Sequence, residues 1–213
     1  MRTGRKERMR RSKQLMLASL ALALCLAASG CGGSGGSTSF AEAPPSSFAG
    51  SKWPGGRNAA GFALRDQDGR LVRLSAQGGR FAIVTFLYTQ CRDVCPLIAA
   101  RLNETLRRLG PARRRLRVLA VSVDPKGDTP AAVRRFVRAH HLLPQFRYLT
   151  GTRAQLAPVW HAHYVSPQPV GGGVSLHSAY ELLIDPTGRP RLSYDTRVKA
   201  EDVVHDPRLL GLQ

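Results

Sequence analysis

Two cysteines separated by three residues, Cys91 and Cys95, have the type and spacing to perform chemistry. An apolar, β-branched and aromatic run, residues 81–88, precedes them, and Ile98 and Leu102 begin a helically spaced apolar pattern after them. This order predicts a strand, a turn that holds Cys91, and a helix with Cys95 at or just inside its first turn. Positions i and i+4 of a helical turn project to one face, so the two sulfurs are expected to lie together. Such a pair can form a disulfide or bind one soft metal ion.

The N-terminus has the pattern of an export signal. Residues 1–14 are basic, and residues 15–28 form an uncharged apolar run. That run is shorter than the roughly 20 residues of a transmembrane helix. Small residues then precede Cys31, which resembles a bacterial lipoprotein signal in which Cys31 is lipidated and becomes the mature N-terminus. The alternative is a plain cleaved signal and a secreted or periplasmic protein.

These patterns divide the chain into three parts. Residues 1–30 are expected to be a lipoprotein-type signal peptide, 31–56 a flexible tether rich in Gly, Ser and Pro, and 57–213 the folded domain. After processing, Cys91 and Cys95 are the only cysteines of that domain. In an exported protein, cysteines this close favour a redox or metal pair over a distant structural disulfide.

The formal net charge is +18, and residues 1–30 contain seven of the 32 basic groups and one of the 14 acidic groups. The remaining chain therefore has a net charge of +12, which attracts nucleic acid or anionic lipid. Its arginines are spread along the chain, and no arginine-rich motif alternates with aromatic residues. We interpret them as a solvated surface near a membrane and expect no nucleic-acid partner.

The apolar patterns after residue 60 alternate between strand and helix periods. Short runs on either side of residues 66–69 predict a β-hairpin. Buried-type strands are expected at 81–88 and 116–123, with helices after the cysteines and after Thr129-Pro130. The rest of the chain is expected to contain a short strand at 146–150 and a helix from Thr152. A mobile glycine-rich loop at 166–175, a strand at 177–184 and a last helix after 199 are expected to follow. The order predicts an α/β sheet with a central parallel part.

Four ordered blocks of sequence resemble the Sco/SenC family of thioredoxin-like copper proteins. The first is Tyr-Thr-Gln-Cys-Arg-Asp-Val-Cys-Pro at 88–96, and the second is Val-Ser-Val-Asp-Pro-Lys-Gly-Asp-Thr-Pro at 121–130. Leu-Thr-Gly-Thr at 149–152 and His-Ser at 177–178 with Leu-Ile-Asp-Pro-Thr-Gly at 183–188 complete the match. The resemblance implies a thioredoxin-like fold, with a central mixed sheet flanked by helices and an N-terminal β-hairpin.

The resemblance also implies a metal site and a role. Cys91, Cys95 and His177 match the family's metal ligands and would hold one copper ion, Cu(I) or Cu(II), per chain. The implied protein is lipid-anchored at the extracytoplasmic face of the bacterial membrane and assists assembly of the binuclear copper centre of cytochrome c oxidase subunit II. Copper delivery and reduction of the partner's cysteines both remain open. The implied partners are the copper domain of subunit II, an upstream copper donor and a thiol reductant.

The residue chemistry supports both possibilities. Thiolates suit Cu(I), and imidazole tolerates both copper oxidation states. Its position near a helix N-terminus and the nearby positive charge of Arg92 are expected to favour the thiolate of Cys95. The same features suit thiol–disulfide exchange, so a general thiol–disulfide oxidoreductase that uses Cys91 and Cys95 is the alternative function. A peroxidase on the same fold is weaker, because His177 would then have no task.

Other polar side chains near these motifs have structural explanations. Asp124, at the carboxyl end of a strand, is expected to orient a ligand, to contact a partner or simply to form a turn. Asp93 is expected to cap the helix, with a functional contact as its second role. Solvation or packing is expected to explain His161 and His163 better than a role as auxiliary ligands. His140 and His141 are expected to favour the negative C-terminus of their helix, and Tyr88 and Trp160 are expected in the core.

Overall fold

The computed structural model of the protein describes residues 47–170, 173–176 and 180–213. The expected signal peptide, Cys31, the tether up to residue 46 and His177 lie outside these ranges. The chain from Ser46 to Gln213 forms one compact unit. Within the described ranges, no helix has the length and apolar character needed to cross a bilayer.

The described chain contains ten strands and four α-helices. The strands are β1 (Ser51–Lys52), β2 (Ala63–Arg65), β3 (Leu71–Arg73), β4 (Phe81–Leu87), β5 (Leu116–Ser122), β6 (Phe146–Leu149), β7 (Pro167–Val170), β8 (Gly173–Leu176), β9 (Glu181–Ile184) and β10 (Pro190–Tyr194). The helices are α1 (Val94–Arg108), α2 (Pro130–Ala139), α3 (Arg153–Ala162) and α4 (Ala200–Leu209). Two 3-10 turns cover Leu74–Ala76 and Gly110–Arg115.

A mixed six-stranded sheet forms the centre, in the order β1-β10-β9-β4-β5-β6. β4, β5 and β6 are parallel, whereas β9, β10 and β1 each pair antiparallel with their neighbours. β2 and β3 form the expected N-terminal hairpin. Because the parallel strands end at the same edge of the sheet, the segments after β4 and β5 meet there. The cysteine turn and the 121–130 block therefore lie side by side.

Apolar side chains cover both faces of the sheet. All seven residues of β4 are buried, as a strand covered on both faces requires. One face packs against α1, α2 and α4, and the other packs against α3 and the β2–β3 hairpin. In β5 this alternation places Val118 and Ala120 on the first face and Leu119 and Val121 on the second.

The local helix-start signals are confirmed. The Thr129 side chain accepts a hydrogen bond from the Ala132 amide, with Pro130 as the first helical residue of α2. Thr152 and Gln155 form a reciprocal capping box at α3.

Two segments expected to be irregular contain strands. Residues 51–52, which were expected in the tether, form β1, and the Trp53 amide donates to the Arg191 carbonyl. Asp206 of α4 accepts hydrogen bonds from the Ala49 and Gly50 amides at 3.0 and 2.9 Å. The expected mobile loop at 166–175 contains the β7–β8 hairpin. Backbone pairing overrides the low strand propensity of Pro and Gly in these stretches.

Candidate metal and thiol site

Cys91 and Cys95 lie where the sequence predicts them. β4 ends at Leu87, Cys91 occupies the following turn, and Cys95 is the second residue of α1. The Cys91 amide donates to the Tyr88 carbonyl at 3.3 Å, which closes the turn. Both side chains are free thiols, 8% and 1% exposed. The strand-to-helix turn thus places two buried thiols at the edge of the core.

Cys91 is the more acidic thiol of the pair. Burial raises its pKa, but hydrogen bonds from the Cys95 side chain and from the Cys95 and Asp93 amides outweigh burial, so the pKa is lowered overall. The Cys95 amide lies 3.4 Å from Cys91 Sγ. Backbone donors at a helix start stabilise a thiolate in this position. Cys91 therefore ionises more readily than Cys95, whose pKa is raised.

Cys95 differs from the expectation that the helix start and Arg92 favour its thiolate form. Burial raises the pKa of Cys95, and the neighbouring Cys91 adds to that rise. Arg92 is exposed. The expectation is wrong for Cys95 because the loss of hydration exceeds what the helix dipole supplies. The pair is asymmetric.

Tyr88 contacts the site, which sequence reasoning missed. It is half-buried and packs against both apolar clusters, as expected, but its hydroxyl also hydrogen-bonds Cys91. Burial and this bond raise the pKa of Tyr88 to about 12. The phenol therefore stays protonated at neutral pH and donates to the Cys91 sulfur. Its place three residues before Cys91 is the sequence signal that was available.

Asp128 is a second residue that sequence reasoning missed. Its buried carboxylate accepts hydrogen bonds from the Thr89 amide at 2.8 Å, Ser122 Oγ at 2.6 Å and the Tyr148 hydroxyl at 2.9 Å. These donors come from the cysteine turn, β5 and β6. Burial raises the pKa of Asp128 despite these bonds. The carboxylate holds the base of the cysteine turn against the sheet.

Asp124 has the turn-forming role that was one of its expected explanations. Its carboxylate accepts from the Gly127 amide at 3.0 Å, and its carbonyl accepts from the Asp128 amide at 2.9 Å. The side chain of Gln90, from the cysteine turn, approaches the same loop so closely that a Cβ on Gly127 would lie 2.7 Å from its amide nitrogen. A side chain at position 127 would require the side chains of Asp124 and Gln90 to move. Asp124 thus shapes the loop that borders the cysteine turn.

Asp93 does not cap the helix in the expected way. It occupies the position before α1, but its side chain makes no capping hydrogen bond and is exposed. Its backbone amide is directed at Cys91 instead. The physical reason is that the sulfur of Cys91 already accepts from one of the free amides of this helix start, that of Cys95.

The histidines expected near the site fall into three groups: one is buried, one is exposed, and one lies outside the described residues. His163 is buried, packs 5.6 Å from the Phe86 ring and has a pKa lowered by burial, in agreement with the packing role. His161 is exposed. His177 lies outside the described residues, so its assignment as a ligand stays a prediction. Among residues 47–170, 173–176 and 180–213, no three His, Cys, Asp or Glu side chains are grouped to hold a metal ion.

Comparison with known proteins assigns the chain to a protein family. The model of the SCO1/SenC family matches residues 54–209. The chain belongs to the SCO1/SenC family. The matched range includes both cysteines, the 121–130 block and His177, so the resemblance inferred from four motifs is confirmed.

Individual SCO1/SenC relatives agree with this assignment. An SCO2-like protein of Rickettsia conorii is 28% identical over 134 residues, which are 60% of this chain and 64% of the relative, so the chain spans just under two thirds of its length. The apo Sco1 protein of Thermus thermophilus is 29% identical with a TM-score of 0.65, covering 77% of this chain and 97% of that one. ScoI of Bradyrhizobium japonicum, solved with copper bound, is 27% identical with a TM-score of 0.64, covering 74% and 100%. The thioredoxin-like fold is thereby confirmed.

Proposed function

We propose that this SCO1/SenC protein binds copper at Cys91, Cys95 and His177 and assists assembly of the binuclear copper centre of cytochrome c oxidase subunit II. The observation that carries the proposal is the Cys91–Cys95 pair, buried at one strand-to-helix turn, in a chain related to a copper-bound ScoI. Two sulfur donors on one turn fit a soft ion such as Cu(I).

The donor set supports one copper per chain. Cys91 has a lowered pKa and supplies a thiolate readily, while a bound cation would compensate the cost of ionising buried Cys95. His177, from the matched part of the chain, would add an imidazole that tolerates both oxidation states. Three protein ligands leave an open position, which suits transfer to another protein. The protein itself orients the sulfurs and, through Tyr88, donates a hydrogen bond to one of them.

Thiol–disulfide exchange is the second candidate function, and the asymmetry of the two thiols favours it. The Cys91 thiolate would attack a disulfide of the partner and form a mixed disulfide, releasing one partner thiolate. Cys95 would then lose its proton, attack Cys91 Sγ and release the second partner thiol, leaving a Cys91–Cys95 disulfide. Two electrons pass to the partner, and an external dithiol must reduce the pair again. Buried Cys95 is protected from other reactions while it waits.

A transfer experiment tests the proposed function. The copper-loaded reduced protein is mixed with the copper domain of oxidase subunit II, supplied either reduced and copper-free or with its two cysteines oxidised. Copper transfer to the first form supports delivery, and reduction of the second supports exchange. Cys91→Ser should abolish both. If wild-type protein neither transfers copper nor reduces the oxidised domain, the proposal is wrong.

The proposed location is the extracytoplasmic face of the bacterial membrane, with a lipid on Cys31. The basic and apolar N-terminal residues ending in small residues before Cys31 support it. Membrane fractionation of wild-type and Cys31→Ser protein tests the lipid. The wild type should remain with the membrane and carry a covalent lipid, and the variant should lose that lipid. A wild-type chain without lipid would contradict this proposal.

A further inference from the structure

A group of arginines lies at the end of the sheet opposite the cysteine turn. Arg80 comes directly before β4, Arg114 and Arg115 end the 3-10 turn before β5, and Arg117 is the second residue of β5. The parallel strands β4 and β5 begin in register, which brings these four residues to one place. Arg114 and Arg115 are exposed, and Arg80 and Arg117 are partly buried. The four arginines form the basic patch of the domain.

The guanidinium groups of the basic patch are crowded together. Nε of Arg80 and Nη1 of Arg117 donate to the same acceptor, the Arg114 carbonyl, at 3.1 and 3.4 Å. Burial and the nearby charges of Arg80 and Arg147 lower the pKa of Arg117. The cationic form of Arg117 is therefore less favourable here than in water, because like charges repel it. The fold maintains this crowding at a cost in free energy.

The charges of the basic patch are not neutralised within the part of the chain that the structure describes. None of its four arginines forms an ion pair there, whereas Arg101 of α1 is paired with buried Glu181 of β9, and Arg147 with Asp66 at 3.1 Å. Residues 105–123, which include the β5 side of the patch, contain no Asp or Glu. A crowded group of cations without counter-ions from its own fold attracts an external anion.

The proposed membrane anchor favours a lipid headgroup as that anion. Cys31 lies 15 residues (46 − 31) before Ser46, where the compact unit begins, and 15 residues of chain reach at most about 54 Å. A lipid on Cys31 would therefore keep the domain next to a dense layer of phosphate groups. Arginine binds phosphate oxygens in bidentate geometry, and each basic side chain near an anionic membrane surface adds to the attraction.

We propose that the basic patch docks on the anionic phosphate headgroups of the membrane to which the protein is anchored. This inference rests on the proposed membrane location. β4 has seven residues, and a strand rises roughly 3.3 Å per residue, so the cysteine turn lies about 23 Å from the patch along the sheet. With the patch on the headgroups, the end of the domain that holds Cys91 and Cys95 points away from the lipid. A water-soluble partner domain can reach the two thiols there.

Vesicle binding by the compact unit tests the proposal without a lipid anchor. Residues 46–213 are mixed with vesicles of phosphatidylglycerol and phosphatidylcholine in equal amounts, and co-sedimentation measures the bound fraction. Arg80→Gln, Arg114→Gln and Arg115→Gln together should lower the affinity about 100-fold, from about fivefold for each arginine. Vesicles of phosphatidylcholine alone should not bind the wild type, and added salt should weaken its binding to the anionic vesicles.

The matched control removes the same charge from other surfaces of the domain. Arg134 and Arg135 of α2 and Arg153 of α3 are exposed, and these helices follow the carboxyl ends of β5 and β6. Their combined change to Gln should leave vesicle affinity within about twofold of the wild type at physiological salt, because charges more than about 8 Å away are largely screened. Equal losses for the two triple variants would show that net charge alone attracts the protein, and would overturn the inference.

A charge-reversal variant covers the case in which the patch variant fails to fold. Arg114→Glu with Arg115→Glu changes two exposed side chains only, so it should fold and lose vesicle binding. Wild-type vesicle affinity in this variant overturns the inference. So does a wild-type domain that binds inorganic phosphate or a DNA duplex through the patch but does not bind the anionic vesicles.

Copper binding separates this inference from the proposed function. The patch variants should bind Cu(I) like the wild type, because they change no residue at the cysteine end of the sheet. A wild-type domain that binds anionic vesicles but no copper would refute the proposed function alone. One that binds copper but no anionic vesicles overturns the docking surface alone. Absence of lipid on Cys31 would refute the anchor, and the vesicle measurement does not depend on it.

Discussion

The two cysteines differ in acidity, and the difference arises from their surroundings. Cys91 receives hydrogen bonds from the start of α1 and from Tyr88, which lower its pKa in spite of burial. Cys95 is 1% exposed, and burial raises its pKa. The Cys91 thiol therefore loses its proton more readily than the Cys95 thiol does.

This asymmetry predicts site-selective alkylation of the reduced protein. Cys91 should react with iodoacetamide at a pH below that of an ordinary thiol, while Cys95 stays unmodified until the protein unfolds, because only a thiolate attacks. Peptide mapping by mass spectrometry after reaction at several pH values measures both sites. Tyr88→Phe removes one donor to Cys91 and should shift its reaction to higher pH. Equal reactivity of the two cysteines would contradict the assignment.

At the residue level, the spacing of Cys91 and Cys95 and the motif around them were sufficient to predict that the two thiols lie together at a strand-to-helix turn. Their different acidity was not predictable, because it depends on which sulfur faces the free amides of α1. The sequence did not identify Asp128 as a neighbour of the site for a similar reason. Its three donors lie 6 to 39 residues away in sequence, and only the parallel pairing of β4, β5 and β6 brings them together.

Asp128 joins three elements beneath the cysteine turn. Asp128→Ala would leave the Thr89 amide and the Ser122 and Tyr148 hydroxyls buried without their acceptor. We expect a loss of about 3 kcal/mol in the free energy of unfolding. Tyr148→Phe removes one donor only and should cost about 1 kcal/mol. Urea unfolding monitored by circular dichroism measures both, and equal losses for the two variants would show that the carboxylate is not the common acceptor.

The Arg101–Glu181 pair gives the β9–α1 contact a pH dependence. Burial raises the pKa of Glu181 from 4.5 to about 7, and Arg101 offsets this only in part. The folded protein therefore retains a proton on Glu181 between pH 4.5 and about 7 that the unfolded chain has released. The stability contributed by this proton is fully present below pH 4.5 and is lost as the pH rises to about 7. At about 1.4 kcal/mol per pKa unit, the loss is on the order of 3 kcal/mol.

Glu181→Gln tests this dependence because glutamine does not titrate. Urea unfolding at intervals from pH 4.5 to 7.5 should show wild-type stability decreasing relative to that of the variant over this window. Other titrating groups, including His163, affect both proteins alike and cancel in the comparison. Parallel pH profiles would mean that Glu181 has an ordinary pKa in the folded state.

At the level of elements, period and capping signals predicted the hairpin, the strands and the helices of the central βαβ units. These signals did not predict the strands that form only because their backbone pairs with another strand. β1 has two residues and no apolar pattern, and it forms because β10 offers a free edge. The β7–β8 hairpin likewise contains Pro and Gly, which favour loops when judged locally.

Considered as a whole molecule, the domain depends on the segment that joins it to the N-terminal part. Asp206 is fully buried in α4, and its carboxylate accepts from the Ala49 and Gly50 amides. A chain that begins at residue 57 lacks these donors and β1. We expect it to unfold with a free energy about 3 kcal/mol lower than that of a chain beginning at residue 46.

Thermal and urea unfolding of the two chains measure the contribution of this segment. Asp206→Ala in the longer chain is the control, and it should reproduce most of the loss. In the shorter chain the same substitution should have a much smaller effect, because the two donors are already absent. Equal stability of the two chains would show that residues 46–56 behave as a tether only.

The central claim is that the cysteine turn and His177 form one copper site in this SCO1/SenC protein. The most direct test is a Cu(I) and Cu(II) titration of the reduced chain, with Cys25 and Cys31 replaced by serine, as wild type, His177→Ala and the exposed-histidine control His161→Ala. We predict one copper per chain and a Cu(II)–thiolate band for the wild type and for His161→Ala. His177→Ala should lose at least about tenfold in affinity yet still form the Cys91–Cys95 disulfide. Wild-type copper affinity and spectrum in His177→Ala, or no stoichiometric copper binding by the wild type, would contradict the claim.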